Sequence, residues 1–443
     1  MDVPETRYAK TPDGVHIAYH VIGDGPVDIL WIHAMQGDIE VLLEHPRVQA
    51  LNERVAAFGR LIRHDMRGTG LSDRHSGLPD LETQARDILT VLDAVGSHEA
   101  VFFSAGNPVG PFFAASFPRR TRALCFFDPG ARWIRTADYP YGPSAEEAAR
   151  ELAEVEETWG RDAYAGAVIA SVAPSMRGDR ELIRWYAKLT RHWVAPGDAV
   201  ELVRRLNETD IRDVLATIGV PTACIVRRFE EGIEEAEYVT GLIPDAELIV
   251  LDGDEHWSVG GDQDALLGAI LEFIGVRRPV DTGGSRLRTI LFTDIVGSTS
   301  TAAEIGDAAW RELLAGHHDV VRAELNRADA VEEDTAGDGF FATFDGPVRA
   351  IRCARSIVEA VRPLGLEIRA GVHTGEVETI DGRPAGIAVH IGARVAGLAG
   401  PSEILVSRTV RDLVAGSRLE FADAGEHELK GVPDRWRLYR VLE

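Results

Sequence analysis

The chain has 443 residues, 45% apolar and 27% charged, with 47 Lys and Arg against 71 Asp and Glu, a formal net charge of −24. That length exceeds one ordinary core and predicts two domains, and the acidic surplus excludes a nucleic-acid or anionic-membrane partner surface. Three separated cysteines, Cys125, Cys224 and Cys353, lack disulfide or metal-ligand spacing; with no signal segment and no apolar run near about 18 residues, the expectation is a cytoplasmic protein with buried thiols.

From the start to about Gly275, short apolar runs alternate with helix-period text. VDILWIHA, GRLIRHD, AVFFSAG, RALCFFDP, TACIVRR and AELIVLDG read as strands, and LETQARDILTVLDAVG and DALLGAILEFIG as helices. Such alternation predicts a mostly parallel sheet covered by helices on both faces. Between about 130 and 218 it gives way to helical text such as SAEEAARELAEVEETWG, read as an inserted cap.

DMRGTGLSD, residues 65–73, together with this strand series, resembles the α/β-hydrolase fold over residues 1–276. The resemblance implies a nucleophile on a strand-to-helix elbow, here FFSAGNPVG, with an acid and a histidine later in the chain. Counting back from the helix end at Pro118 puts Ser104 on the nucleophile position, flanked by Phe102 where a glycine is usual. Counting forward from Gly96 puts Gly106 there and leaves the nucleophile missing. His256 in GDEHW stands where the base belongs, and Glu230, less well Glu231, is the acid expected after TACIVRR. Backbone N–H groups near Ala34, Met35 and Ala105 would form the oxyanion hole. Bulky Phe102 and Pro108 crowd a turn that favours small residues. A full triad implies ester hydrolysis, and a degraded one implies a pocket for a small apolar ligand.

RRPVDTGGSR, residues 277–286, is polar and rich in Pro and Gly, and reads as a linker. The pattern then restarts over 287–443: strand RTILFTDI, one long helix through AAEIGDAAWRELLAGHHDVVRAEL, a hairpin VEEDTAGDGFFATF, helix PVRAIRCARSIVEAVRP and strand LEIRAGVHTGEVETI. This β-α-β-β-α-β order predicts a ferredoxin-like α+β domain beside the α/β one. Asp294 ends a strand just before Gly297, Ser298 and Thr299, a turn whose N–H groups suit phosphate oxygens. The hairpin carrying Asp338 is expected beside that strand. Two carboxylates converging there suit Mg²⁺ or Mn²⁺.

FTDIVGSTS, TAGDGFFATFDGP, GIAVHIGARVAGLAG and HELKGVP resemble, in order and spacing, the class III nucleotidyl cyclases. The resemblance implies a homodimer with active sites at its interface. It implies two metal ions held by Asp294 and Asp338, with the Ile295 carbonyl as a further ligand. Arg394 takes the position of the transition-state arginine given by the partner chain, His390 that of a usual asparagine, and Lys430 that of a phosphate-binding base. The base-reading positions are inverted: Asp334 stands where adenylyl members have lysine, and Arg383 where they have aspartate. The reading is an adenylate cyclase acting on ATP, with the hydrolase-like part as a regulatory or weakly hydrolytic module. Guanine recognition by Asp334 and Arg383, a carboxylesterase with a vestigial cyclase domain, and a non-catalytic nucleotide-binding sensor are the alternatives.

Overall fold

Runs that are apolar at nearly every position belong in strands buried on both faces, between two layers of helix. In the computed structural model, which describes residues 4–33, 37–74, 78–228, 232–276, 286–380 and 383–442, such runs form the centre of the first of two units, Met1–Thr282 and Gly283–Glu443. In chain order its elements are β1 (Arg7–Lys10), β2 (His16–Ile22), β3 (Asp28–His33), α1 (Ile39–Leu42), α2 (Pro46–Ala56), β4 (Arg60–His64), α3 (Leu81–Ala94), β5 (Ala100–Ala105), α4 (Val109–Ser116) and β6 (Thr121–Phe127). Cap helices α5 (Ala145–Thr158), α6 (Asp162–Val172), α7 (Arg180–Trp193), α8 (Pro196–Glu208) and α9 (Arg212–Leu215) come next. The unit ends with β7 (Thr222–Arg227), α10 (Gly232–Leu242), β8 (Glu247–Leu251) and α11 (Gln263–Val276).

The sheet runs β1-β2-β4-β3-β5-β6-β7-β8, antiparallel as far as β4 and parallel from there on. β3 lies where the strand order reverses, so the crevice at the carboxyl ends of β3 and β5 is the natural ligand position. Below that crevice Trp31 stacks on Phe103 with centroids 3.8 Å apart. In the DMRGTG loop Asp65 accepts from the N–H groups of Ile39 and Leu71, and Gly70, at φ +50°, leaves room for its carboxylate.

The second unit comprises β9 (Arg286–Ile295), α12 (Ser298–Ile305), α13 (Asp307–Arg327), β10 (Val331–Ala336), β11 (Gly339–Phe344), α14 (Pro347–Val361), β12 (Ile368–Ile380), β13 (Arg383–Ala385), α15 (Ile387–Leu398), β14 (Ile404–Ser407), α16 (Arg408–Leu413), β15 (Phe421–Glu428) and β16 (Arg435–Val441). Its strand order is β10-β11-β9-β12-β14-β16-β15, with β13 paired to β12. The expected single helix over 302–325 is two: Gly306 takes φ +82°, ends α12 and starts α13, a conformation open to glycine at no steric cost.

Alternation along β9 sorts its side chains between two layers. Leu291 and Ile295 join the core under α13 and α14, and Ile290 and Phe292 face α15. Asp294 therefore shares the α15 face. That helix sits unusually near the sheet: a Cβ on Gly371 would come within 2.1 Å of the Ala396 nitrogen, and one on Gly392 within 2.9 Å of Ile290. Among the described residues no helix is long and apolar enough to cross a membrane.

Gly371→Val forces α15 off β12. It is expected to destabilise the second unit by about 1–3 kcal/mol or more, seen as a lower urea midpoint for that unit; an unchanged midpoint would contradict the close approach.

Candidate active site

β9 lies between β11 and β12, and both neighbours reach the end that carries Asp294. Phe340 pairs with Thr293 across β11 and β9, and Arg369 pairs with Asp294 across β12 and β9. Asp338 stands two residues before Phe340, in the turn between β10 and β11, just as Ile295 stands two residues after Thr293. The sheet register thus brings Asp294, Ile295 and Asp338 to one end of neighbouring strands.

A cavity of about 290 Å³ opens there, lined by Phe292, Asp294, Asp334, Phe341, Arg369 and the Ala393 and Ala396 positions of α15, among others. Phe292 and Phe341 stack nearly parallel at 4.6 Å and give it a flat aromatic wall. Arg369 is a residue that the sequence pattern did not single out. Its Nε and Nη2 both donate to Asp294 Oδ2, at 3.0 and 2.5 Å, so this carboxylate is met by a cation from the next strand. Nothing in the alternation of β12 says which residue of β9 its arginine will face, so the pairing becomes visible only with the register.

Asp338 has no such partner. Its Oδ2 is buried and unbonded among the described residues, a state that costs about 1–3 kcal/mol for a polar atom. Beneath the turn, His317 is fully buried with both ring nitrogens unpaired, and burial holds its pKa down to about 4, so no imidazolium neutralises Asp338. His318 meets the turn instead at the Gly337 carbonyl, 3.0 Å away. An orphaned carboxylate oxygen near a second acid fits a hard divalent cation. Among the described residues no three His, Cys, Asp or Glu side chains gather into a metal cluster, so any further ligands must be backbone, water or substrate oxygens. Gly297, in the left-handed region at φ +70°, opens α12 without a side-chain cap, so the N–H groups around Ser298 and Thr299 stay available to an anion.

Asp334 lines the cavity, and among the described residues its Oδ1 accepts only from the adjacent Thr335 N–H at 3.0 Å. Glu332, nearby, is taken by Arg322, and the β-bulge at Glu333 turns that residue toward Thr343. The Arg383 backbone lies in β13; its side chain lies outside the described residues. His390 and Arg394, four residues apart on α15, are both exposed, and Arg394 Nε donates to the Lys430 carbonyl at 3.2 Å. Arg394, His390 and Lys430 do not line the cavity of Asp294 in the same chain.

In the N-terminal unit the structure corrects the nucleophile. Ser104 lies inside β5, fully buried and paired with Ile32 and Phe126, and its hydroxyl donates back to the Asn107 carbonyl at 2.8 Å. Gly106 occupies the turn, at φ +55°, and lines the cavity beside His256. The elbow therefore presents a glycine. For the acid, the described residues offer a different carboxylate from the expected one. Glu230 and Glu231, like Ala34 and Met35 of the expected oxyanion loop, lie outside the described residues. Asp128, at the end of β6 with φ +50°, is the carboxylate that meets His256, Oδ2 to Nδ1 at 3.2 Å. Burial alone would depress the His256 pKa, but the Asp128 hydrogen bond and charge outweigh it and raise the pKa. Glu235, pushed up to about 7 by burial, accepts from the Tyr139 hydroxyl at the same cavity of about 510 Å³. Asp128 was hidden because FFDP reads as a strand simply running out.

With this geometry established, comparison with known proteins is decisive for the second unit. The adenylate and guanylate cyclase catalytic domain family matches residues 285–442. The C-terminal unit is a class III nucleotidyl cyclase domain. A pH-sensitive adenylate cyclase of Mycobacterium tuberculosis is 29% identical over 169 residues, 36% of this chain and 41% of that protein. An uncharacterised protein of Rhizobium meliloti is 29% identical over 182 residues, 36% of this chain and 18% of that one. The chain thus spans less than half the length of these two relatives. The N-terminal unit has the α/β-hydrolase fold: a bromoperoxidase from Bacillus anthracis aligns at TM-score 0.52 and 19% identity, covering 61% of this chain and all of that one. A hydrolase from Pseudomonas aeruginosa aligns at TM-score 0.50 and 23% identity, covering 61% and 99%.

The cyclase domain thus follows a hydrolase fold whose elbow lacks a nucleophile. Gly106→Ser would present a hydroxyl to His256, and p-nitrophenyl acetate hydrolysis is expected to rise by about 100-fold over the unmodified protein and to vanish on adding His256→Ala. Loss of a hydrolytic activity of the unmodified protein on Ser104→Ala alone would contradict a glycine at the elbow.

Proposed function

We propose that the cyclase domain converts ATP to cyclic AMP and pyrophosphate, at active sites shared between two copies of the chain. The observation that carries this reading is the buried Oδ2 of Asp338, unbonded among the described residues, at the same sheet end as Asp294. Asp294, Asp338 and the Ile295 carbonyl would hold Mg²⁺ or Mn²⁺, two ions per site. When bound, these ions acidify the ribose 3′-hydroxyl and neutralise the triphosphate.

The protein's own groups supply the rest. N–H groups of the Gly297–Ser298–Thr299 turn bind phosphate oxygens, and Arg369 keeps Asp294 oriented across the strand pair. The 3′-oxygen attacks the α-phosphorus in line as the bond to pyrophosphate breaks. Arg394 of a second copy, with His390 and Lys430, meets the charge that develops. Two features support a shared site: Arg394 and Lys430 are joined to each other, and neither lines the cavity of Asp294 in its own chain.

Resemblance to an adenylate cyclase favours ATP. GTP is the second reading, and a specific observation favours it. The Asp334 carboxylate lines the cavity with no basic partner among the described residues, so it can accept from guanine N1–H and N2–H. The hydrolase-fold unit acts as a regulatory module. With glycine on the elbow, the esterase reading loses its support.

Purified chain with Mn²⁺ and ATP or GTP, assayed side by side, is expected to yield cyclic AMP in excess of cyclic GMP. Asp294→Ala and Arg394→Ala should each abolish product. Mixed in equal amounts they should regain about a quarter of unmodified activity, because half the dimers are mixed and each holds one complete site. No recovery on mixing would contradict sharing. Cyclic nucleotide formation by Asp294→Ala would contradict the reading altogether.

A further inference from the structure

A second cavity of the N-terminal unit, about 460 Å³, shares Gly106, Asp128, Trp133 and His256 with the first but runs into the cap. Its body is apolar, formed by Val155, Tyr164, Val168, Leu189, Val203 and Leu206. Its polar end lies at the carboxyl ends of the strands, where Arg63, His33 and His256 line it. A pocket of this size, apolar with a few convergent polar groups, is of the kind that takes a small molecule.

Arg63 is the group that needs explaining. It is 4% exposed, and its Nε and Nη2 both donate to one neutral acceptor, Asn52 Oδ1, at 3.2 and 2.9 Å. Its guanidinium lies 5.7 Å from the centre of the Trp31 ring. Among the described residues no carboxylate forms an ion pair with it. Burial brings its pKa down only to about 9, so it stays charged at neutral pH. His33 cannot share the charge, since burial and then Arg63 itself hold its pKa to about 3. The cavity's acids are engaged elsewhere or come from the cap: Asp128 meets His256, and Glu151 and Glu154 belong to α5. A buried cation without counter-charge is costly to the fold, and is retained at a binding site when the ligand supplies the anion.

We infer that this cavity is a non-covalent binding site for an amphipathic monocarboxylate, a fatty-acid-like anion whose head group pairs with Arg63 and whose hydrocarbon tail lies among the cap side chains. Gly106 offers no oxygen to acylate, so the ligand is held intact. The inference gives the proposed regulatory module a ligand class, but it stands on the N-terminal cavity alone and can fail or hold independently of cyclase activity.

Full-length protein is titrated with decanoate, decan-1-ol and decyltrimethylammonium, following tryptophan fluorescence and heat of binding. Decanoate is expected to bind at least about tenfold more tightly than decanol, as a charge-assisted pair should. Arg63→Met should erase that preference. Should this variant fail to fold, Leu206→Trp leaves Arg63 in place and fills the body of the cavity; decanoate binding should then fall by about tenfold or more. Equal affinity for decanoate and decanol, tighter binding of the quaternary ammonium, decanoate binding unmoved by Leu206→Trp, or no binding at all would overturn the inference.

Discussion

The cyclase domain is organised by the way β9 is sandwiched between β11 and β12. Antiparallel pairing on both sides fixes which residues end together, and it brings three charged groups to one edge: Asp294 on β9, Asp338 beside β11 and Arg369 on β12. Only one of the two acids is answered. Arg369 meets Asp294, whereas Asp338 keeps a buried oxygen with no donor among the described residues and sits above a histidine that burial keeps neutral. An electrostatic debt of this sort, held in place by a rigid register, suits an incoming cation better than a finished structural cluster would. The close seat of α15, made possible by Gly371 and Gly392, completes the cavity without adding charge to it.

Much of this was legible in the chain. The apolar run in RTILFTDI and the glycines around Asp338 gave both the strand ends and the turn, and the long apolar runs of the first unit gave β3 to β8. What escaped has identifiable causes. Gly306 looked like one tolerated residue within a helix, and only its positive φ divides α12 from α13. The elbow could be counted from either flank, and the count from the helix end chose Ser104, two residues before the turn at Gly106 and inside β5. Asp128 takes a left-handed conformation at a strand end, which leaves no mark in residue pattern. Arg369 and Arg63 are strand arginines like any other until their neighbours are known.

The two units treat their inherited chemistry differently. In the first, the His256–Asp128 pair and a roomy cavity persist, but the atom that would attack a substrate is missing, so the remaining groups can bind and orient without breaking a bond. In the second, both strand-end acids and the uncapped helix turn persist together. The first unit has thus lost its nucleophile, whereas in the second Asp294 and Asp338 are both present at one sheet end.

A single cation site shared by Asp294 and Asp338 is tested most directly by metal binding itself. Electron paramagnetic resonance of Mn²⁺ with the full chain and a non-hydrolysable ATP analogue should show bound metal, weakened by about tenfold or more in either Asp294→Asn or Asp338→Asn. Equal Mn²⁺ affinity in the unmodified protein and the Asp338→Asn variant would contradict it.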